Sequence, residues 1–365
     1  MIELEGFSLR GSTHNKNAVI APRVEEEQWI RRMLDPSRYR LPVTVVGPRQ
    51  SGKSTFLKGL QTEFSCEGRL AAYVTLEELR GLNTNELENR LWPLIGEQVA
   101  TQIPRIGNPS QFREDKHAIR LDEQLKTLDH RPTLLFDEFS YVALNYSWLA
   151  QLRGKIERGV LPYQIVFADR AHPKQYPSEG FSPFNNTAVI YLKDFSPEVF
   201  TSFLQKCAEK NGVSVTYEQA AKLYAQHNGQ PYLAQTAGHR LVYQAFEERA
   251  STPTDKHLSV VLASMEQDAR TTSLEIYSAF TEYLKHGTER GIQCGCAEKR
   301  ELSYILQGQR IRFDQHGPTG VLFTLGFIVP EVQEYKFGEW RLEGDAKIRN
   351  PLYTLFLRSH RTLLH

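Results

Sequence analysis

The stretch Gly47-Pro-Arg-Gln-Ser-Gly-Lys-Ser-Thr55 constrains this chain more than any other part of its sequence. It matches the pattern G-x-x-x-x-G-K-[ST] completely, follows an apolar run at 43–46 and leads into a helical apolar pattern at 56–64. Gly47 and Gly52 lack a Cβ and can adopt positive φ, so the backbone can wrap around a polyphosphate with its N–H groups pointing inward. The following helix adds its positive end. The sequence therefore predicts a phosphate-binding loop.

Each residue of the loop has a role in the mechanics of this motif. Lys53 is expected to reach the β- and γ-phosphates, Ser54 to place its hydroxyl on Mg²⁺, and Thr55 to donate on the α-phosphate side. The predicted nucleotide-binding residues are Gly47, Pro48, Arg49, Gln50, Ser51, Gly52, Lys53, Ser54 and Thr55. The alternative is a glycine-rich turn with a solvated lysine, which a second nucleotide-binding motif makes improbable.

That second motif is Pro132-Thr-Leu-Leu-Phe-Asp-Glu-Phe139, a buried-type strand that ends in two carboxylates. An open α/β sheet binds ligands at the carboxyl ends of its strands, so Asp137 is predicted to hold Mg²⁺ through water. Glu138 is predicted to orient the attacking water and accept its proton. A solvated strand-end turn is the alternative interpretation.

A further strand pattern ends in Ala168-Asp-Arg170. If this strand lies between the first strand and the Asp137 strand, Asp169 or Arg170 faces the γ-phosphate, and an arginine can stabilise the charge that develops during phosphoryl transfer. The alternative is a loop with an ordinary surface arginine. Arg153 and Arg158 are other candidates, which would act across a subunit interface.

Strand-like and helical segments alternate up to residue 192, which is typical of an α/β fold with a parallel sheet covered on both faces. The predicted strands are 43–46, 71–76, 133–137, 163–168 and 188–192. We also expect a helix near 84–102 and another that contains Leu121, Leu125 and Leu128.

The pattern then becomes wholly helical. Ser196-Pro is an N-cap with proline at the first helical position, residues 216–219 fit a capping box, and Pro231 begins a third helix. We predict a P-loop core at 1–195, a helical lid at 196–250 and a C-terminal domain at 251–365. In that last domain, helices followed by a hairpin are typical of a winged helix.

Composition restricts the class of protein. The net charge of +1 argues against a nucleic-acid binder that works by overall charge. Four cysteines are too few for a disulfide framework, so reduced thiols and a cytoplasmic location are expected. Cys294-Gly-Cys296 is half of a metal-site pattern, and two ordinary thiols are the favoured interpretation. No apolar run reaches the ~18 residues of a membrane span, so no membrane association is expected.

Six segments, taken in order, resemble the AAA-like branch of the STAND class of P-loop ATPases, which is similar to archaeal and origin-recognition ATPases. They are Arg23 with its acidic neighbours, the Gly47–Thr55 loop, 134–138, 168–170, Asp194-Phe-Ser-Pro-Glu198 and Asn228-Gly-Gln-Pro-Tyr-Leu233. The resemblance implies that Gly229 and Pro231 lie against the adenine and report the nucleotide state, while Arg23 borders the base from the other side. A solvated helix start is the alternative for Arg23. The chain departs from the family because no arginine occupies an unambiguous in-trans finger position.

The expected function is that of a Mg²⁺-dependent switch that binds and hydrolyses ATP and rearranges its domains to regulate a protein partner. Two alternatives stay open at this point. One is a DNA-binding ATPase of the origin-recognition type, which would contact DNA through the C-terminal domain. The other is a nucleotide-binding scaffold with negligible turnover. A homo-oligomer is compatible with each of them.

Overall fold

The computed structural model of the protein describes residues 4–7, 19–35, 42–102, 131–143, 145–158, 163–170, 187–286, 288–289, 292–336 and 339–364. The chain folds into two compact units. The core unit comprises Arg23–Gly47 and Lys53–Leu192, and the helical unit comprises Met1–Pro22, Pro48–Gly52 and Lys193–His365. The predicted helix with Leu121, Leu125 and Leu128 falls outside the described residues. The division at 1–195, 196–250 and 251–365 stays a prediction.

The core unit is built on a parallel five-stranded sheet, as predicted. The strands are β1 (Val43–Val46), β2 (Ala71–Thr75), β3 (Thr133–Asp137), β4 (Gln164–Asp169) and β5 (Ala188–Tyr191), in the order β2-β3-β4-β1-β5. Every residue of β1 and β3 is buried, as expected for a parallel sheet covered on both faces. The strand that ends in Asp169 therefore lies between the first strand and the Asp137 strand, which is the position that the sequence argument required.

Four described helices belong to the core unit. They are α1 (Val24–Met33), α2 (Lys53–Cys66), α3 (Thr84–Gln102) and α4 (Tyr146–Glu157). The bounds of α3 are those predicted. α2 buries Phe56, Leu57, Leu60 and Phe64, so its apolar stripe packs inward while the phosphate-loop lysine begins the helix.

Strand register places the polar strand ends side by side. Val46 at the end of β1 pairs with Asp169 of β4, and Thr75 at the end of β2 pairs with Asp137 of β3. Because the strands are parallel, the carboxyl ends of β1, β3 and β4 meet at one edge of the sheet, where ligands bind in open α/β folds. The core fold thus delivers the candidate acidic residues to one place.

The helical unit begins its main run with α5 (Pro197–Lys210), α6 (Tyr217–His227), α7 (Pro231–Glu247) and α8 (Asp255–Thr271). The predicted caps are confirmed. The Ser196 hydroxyl accepts from the N–H of Val199 at 3.3 Å, and Thr216 and Gln219 form a reciprocal capping box. Each cap satisfies N–H groups that have no partner inside a helix, which fixes where these helices start.

The C-terminal part of the helical unit contains helices and a long hairpin. The elements are α9 (Glu275–His286), β6 (Thr288–Glu289), β7 (Ile292–Gln293), α10 (Cys296–Leu306), α11 (Pro318–Leu325), β8 (Ile328–Lys336), β9 (Glu339–Ile348) and α12 (Pro351–Ser359). The sequence did not predict α11, because a segment that is apolar all round has no helical period. A core of aromatic rings, Tyr277, Phe280, Phe327, Tyr353 and Phe356, joins α9 to α12. Helices followed by a hairpin fit the expected winged helix, which stays a prediction.

A buried ion pair joins distant segments of the helical unit. Arg349, between β9 and α12, donates from Nε to Oδ2 of Asp194 at 2.8 Å and from Nη2 to Oδ1. Its backbone oxygen accepts from Nδ2 of Asn228 at 3.3 Å. Arg349 is only 4% exposed. A bidentate arginine–carboxylate pair fixes orientation as well as distance, so Asp194, Asn228 and Arg349 hold their segments in register.

The four cysteines are free thiols of two kinds. Cys66 and Cys296 are exposed, whereas Cys207 and Cys294 are buried. Burial raises the pKa of Cys207 to about 12 and that of Cys294 to about 11. The buried thiols are therefore unreactive packing groups. In the part of the chain that the structure describes, no helix combines the length and apolar character needed to cross a bilayer.

Asp194→Asn should lower the free energy of unfolding by about 3 kcal/mol, because it leaves the buried Arg349 guanidinium opposite a neutral amide. Urea denaturation measures the change. Glu218→Gln is the matched control: it breaks the solvent-exposed pair in which Lys222 lies 2.8 Å from Glu218, and it should change stability little. Equally small effects in both variants would contradict the importance of the Asp194–Arg349 pair.

Candidate nucleotide-binding site

The phosphate loop has the backbone of an anion-binding turn. Gln50 has φ 60° and Gly52 has φ 88°, and the N–H of Ser51 donates to the oxygen of Pro48 at 3.2 Å. Residues with positive φ in such a loop turn successive N–H groups into a concavity that binds anions. For Gln50 this conformation costs about 1 kcal/mol that a glycine would not pay. The motif accepts any residue at this position, and in this chain the position is occupied by Gln50 in a strained conformation.

Lys53 lies buried at the start of α2. Its Nζ donates to the backbone oxygen of Gly47 at 2.8 Å. Burial lowers the pKa of Lys53 to about 8; Glu138, Asp137 and Asp169 act in the opposite direction, and Arg170 lowers it further. The core unit therefore brings together the lysine and the acidic residues that the sequence predicted from separate motifs. Their catalytic roles stay predictions.

Glu138 has an unusual backbone. Its φ of 57° and ψ of 48° are left-handed, and its N–H donates to Oδ1 of Asp137 at 3.0 Å. A non-glycine residue in this region costs about 1–2 kcal/mol and persists only where the surrounding structure fixes it. The turn keeps the Glu138 side chain half-buried beside Lys53, so the interpretation as an ordinary solvated turn loses its support.

Asp169 and Arg170 are buried at the end of β4, with 1% and 7% of their surface exposed. The N–H of Arg170 donates to Oδ1 of Asp169 at 2.7 Å, and the N–H of Gly47 donates to the backbone oxygen of Asp169 at 3.0 Å. The alternative of an ordinary surface arginine is therefore wrong for Arg170. Arg153 lies half-buried on α4 and Arg158 is exposed just after it, and their proposed action across an interface stays untested.

Tyr73 of β2 is a site residue that sequence reasoning missed. Its hydroxyl donates to Oδ2 of Asp137 at 2.8 Å and also forms a hydrogen bond with the Ser54 side chain. Burial, together with the Asp137 charge, raises the pKa of Tyr73 well above its usual range, so the hydroxyl keeps its proton. The only sequence signal was a polar-tipped aromatic in the middle of a buried strand. Tyr73 links the two predicted metal ligands.

The residues at this point fit a magnesium ion. Ser54 and Asp137 offer oxygen atoms to one shared neighbour, and Mg²⁺ is bound by oxygen through one or two protein ligands plus water and phosphate. Among the residues whose placement is described, no three His, Cys, Asp or Glu side chains form a dedicated metal cluster. Binding of Mg²⁺ by Ser54 and Asp137 stays a prediction.

The turn between α6 and α7 is fixed by its backbone. Asn228 and Gly229 have φ of 46° and 77°. The oxygen of Gly229 accepts from the N–H of Phe195 at 2.9 Å, and its N–H donates to Nδ1 of His227 at 3.0 Å. A Cβ on Gly229 would lie 2.0 Å from the oxygen of Phe195, so only glycine fits. Burial lowers the pKa of His227 to about 3, which keeps its ring neutral and able to accept.

Pro231 is the first residue of α7 and is buried, as expected for the proline of this turn. Its contact with adenine and that of Gly229 stay predictions. Arg23, in the core unit, precedes α1 and lies 3.5 Å from Glu26 through Nη1, with the two side chains 7% and 9% exposed. The alternative of a solvated helix start is thus wrong for this pair, and the base contact of Arg23 stays a prediction.

Within the helical unit, the residues Pro48–Gly52 of the phosphate loop contact three separate segments. Gln230 donates from Nε2 to the backbone oxygen of Gln50 at 3.4 Å. Arg49 pairs with Glu275 of α9 at 2.5 Å. A Cβ on Gly326 would lie 2.9 Å from the Cβ of Pro48, so the loop proline packs on bare backbone there. The loop is therefore in contact with the start of α7 and with the C-terminal segment.

The sheet order, the loop and the acidic strand ends define the P-loop nucleotide-binding fold. No protein-family model matches the sequence, and no curated protein matches it. Solved structures do. A Walker-type ATPase of Pyrococcus abyssi aligns with a TM-score of 0.60 and 16% identity over 96% of this chain and 99% of its own. The ORC2 protein of Aeropyrum pernix, solved as ADPNP–ADP complexes, aligns with a TM-score of 0.51 and 15% identity over 96% of both chains. The resemblance inferred from the motifs is confirmed as a shared fold.

Tyr73→Phe should lower the stability of the nucleotide-free protein by about 1.5–3 kcal/mol, because it removes a donor from the buried Asp137 carboxylate. Urea denaturation is the measurement. Tyr141→Phe is the control: its hydroxyl donates at 3.0 Å to Glu77, an exposed carboxylate that water can satisfy instead. A Tyr73 variant as stable as the Tyr141 variant would show that Asp137 does not need this hydroxyl.

Nucleotide affinity should fall as pH rises above about 8, because Lys53 is then neutral in the free protein and must take up a proton to meet the phosphates. The expected loss approaches about tenfold per pH unit above the pKa, as for one linked proton, and the profile becomes flat well below it. Isothermal titration at several pH values measures it. Lys58→Gln removes the other lysine of lowered pKa near Asp137 and should leave the pH dependence of affinity unchanged. If this variant loses the pH dependence, the titrating group is Lys58 and not Lys53.

Proposed function

We propose that this protein is a Mg²⁺-dependent, ATP-binding and ATP-hydrolysing switch of the STAND/AAA-like type. Its nucleotide state would set the arrangement of the predicted helical lid and C-terminal domain and so regulate a protein partner. One observation carries the proposal: residues Pro48–Gly52 of the phosphate loop are contacted by Gln230, Glu275 and Gly326, which come from three segments of the helical unit. A phosphate that reshapes this loop acts directly on those segments.

The core residues supply the chemistry. The ammonium group of Lys53 binds the β- and γ-phosphates, and Ser54 and Asp137 hold Mg²⁺, which when bound neutralises phosphate charge. Glu138 orients the attacking water and accepts its proton, as a half-buried carboxylate beside a cation can. Arg170, which is buried and directly follows Asp169, would stabilise charge that develops on the transferred group. Gly229, Pro231 and Arg23 bind the base.

The DNA-binding alternative gains no support from the C-terminal segment. Helix-turn-helix proteins read DNA with a recognition helix in the major groove. In the predicted winged helix, the helix that precedes the hairpin is α11. That helix, Pro-Thr-Gly-Val-Leu-Phe-Thr-Leu, has no charged or amide side chain, and six of its eight residues are buried. The sequence of the hairpin β8–β9 has five acidic and three basic residues, so its composition is not that of a basic DNA-binding wing. A protein partner is therefore favoured, and a homo-oligomer is compatible with it.

The cysteines support the proposed location. Cys66 and Cys296 are exposed and free, which fits a reducing compartment such as the cytoplasm.

Glu138→Gln should bind ATP normally but hydrolyse it at least about 10²-fold more slowly, because the amide keeps the shape of the carboxylate but cannot accept a proton. Glu77→Gln, which changes an exposed carboxylate just beyond β2, should leave turnover unchanged. Lys53→Ala should abolish binding of a fluorescent ATP analogue while the protein stays folded. If Glu138→Gln hydrolyses ATP as fast as the wild type does, Glu138 is not the catalytic base. A wild type that binds but never turns over would favour the scaffold alternative.

A further inference from the structure

We infer that Gln230 is a positioning residue that fixes the phosphate loop from the start of α7. The inference rests on the proposed function of the loop and deepens it. Gln230 stands between Gly229 and Pro231, the two residues that the family resemblance singles out. It is fully buried, with 0% of its surface exposed. A buried side-chain amide needs partners for both of its ends, so the identity of those partners defines what the residue does.

The orientation of the Gln230 amide follows from its surroundings. At one end the amide caps α7 by accepting from the N–H of Leu233 at 2.6 Å. A backbone N–H can only donate, so the atom that faces Leu233 is the oxygen Oε1. The donor Nε2 then faces the backbone oxygen of Gln50 at 3.4 Å. One side chain therefore joins the first turn of α7 to the apex of the phosphate loop.

Holding the Gln50 oxygen also sets the direction of the next N–H. The peptide between Gln50 and Ser51 is planar and trans, so its oxygen and its N–H point in opposite directions. When Gln230 holds the oxygen on its own side, the N–H of Ser51 points away from α7 and closes the turn with Pro48. Whether the loop N–H groups converge on a phosphate depends on this peptide plane. Gln230 thus acts on the loop without touching the nucleotide.

The contact couples the loop to the start of α7. Its Nε2–O distance is 3.4 Å, which is long for a hydrogen bond, and the bond is lost if the loop carbonyl moves away. If the loop turns its carbonyl away, a buried donor loses its partner, which is unfavourable. The loop and the start of α7 are therefore energetically linked. Such a link is reciprocal. If the position of α7 changes the affinity of the loop for phosphate, phosphate binding shifts the position of α7 by the same free energy.

The test uses Gln230→Ser and Gln230→Asn in the full-length protein. Both residues are favoured helix caps, so the cap of α7 is kept, but neither side chain is long enough to reach Gln50. Thr216→Ala is the control: it removes the side-chain cap at the start of α6, where the Thr216 hydroxyl accepts from the N–H of Gln219, and so reports destabilisation of the helical unit. All measurements are made well below the melting temperature of each variant.

Two readouts are expected to change in the Gln230 variants and not in the control. Affinity for a fluorescent ATP analogue should fall by about threefold to tenfold, the range that one net hydrogen bond supplies. Hydrogen exchange of a peptide that covers residues 48–56 should become faster in the nucleotide-free protein, because the loop loses its anchor. Thr216→Ala should show neither effect, since a purely structural loss does not reach the loop.

The inference is overturned if both Gln230 variants bind the analogue with wild-type affinity and exchange residues 48–56 at the wild-type rate. It is also overturned if Thr216→Ala reproduces both effects. Failure of the proposed function looks different, because then wild type and Lys53→Ala would bind the analogue equally. The exchange measurement needs no ligand, so it still decides whether Gln230 anchors the loop in that event.

Discussion

The candidate site in the core unit depends on keeping the ammonium group of Lys53 buried and charged. Taking a cation out of water is costly, and its pKa of about 8 shows that the cost is only partly offset. The offset comes from carboxylates at and just after the ends of β3 and β4, which the strand order β2-β3-β4-β1-β5 places near Lys53 at the start of α2. A different strand order would leave Lys53 without these neighbours. The charge on Lys53 therefore depends on the strand order of the sheet.

Backbone strain is concentrated where the chemistry is expected. Among the described residues, five that are not glycine have positive φ. Three of them lie in predicted motifs: Gln50 and Asn228 in the helical unit and Glu138 in the core unit. Each lies next to a residue whose position matters: Ser51 in the loop, Asp137 at the strand end and Gly229 in the turn before α7. Strain of this kind persists where a functional arrangement requires it. The helical unit shows the complementary strategy, in which ordinary caps define where α5, α6 and α7 begin.

Much of the fold could be predicted because its signals are local. Each of these elements is indicated by residues that are close together in the sequence. The signals are the buried apolar strands, the glycine-lysine loop and the helix starts at Ser196, Thr216 and Pro231. The helix expected near 84–102 agrees with α3, whereas α11 has no amphipathic spacing and was missed. The candidate site was predicted in its motif residues but not in Tyr73 or Gln230, because the roles of these two depend on partners that tertiary folding brings near. The left-handed φ of Glu138 was equally invisible, since nothing in Asp-Glu-Phe requires it. The buried state of Arg170 could not be distinguished from a surface arginine without the neighbouring strands.

The helical unit owes its internal order to a few polar contacts in a mostly apolar setting. These contacts are the Asp194–Arg349 pair, the Gly229–Phe195 hydrogen bond and the hydrogen bonds of the Gln230 amide. Because buried polar groups are unfavourable unless they are matched, such contacts specify one arrangement more strongly than apolar packing does. A helical unit held by such matched contacts is suited to discrete conformations rather than to gradual deformation.

The uneven burial of the thiols has a practical consequence for spectroscopy. Cys66 belongs to the core unit and Cys296 to the helical unit, and both are exposed, while Cys207 and Cys294 are shielded and poorly ionised. A maleimide dye or nitroxide would therefore attach once to each unit of the unaltered chain. The native sequence already carries the donor and acceptor positions for a distance measurement by energy transfer or dipolar spectroscopy, with no engineered cysteine to perturb either unit.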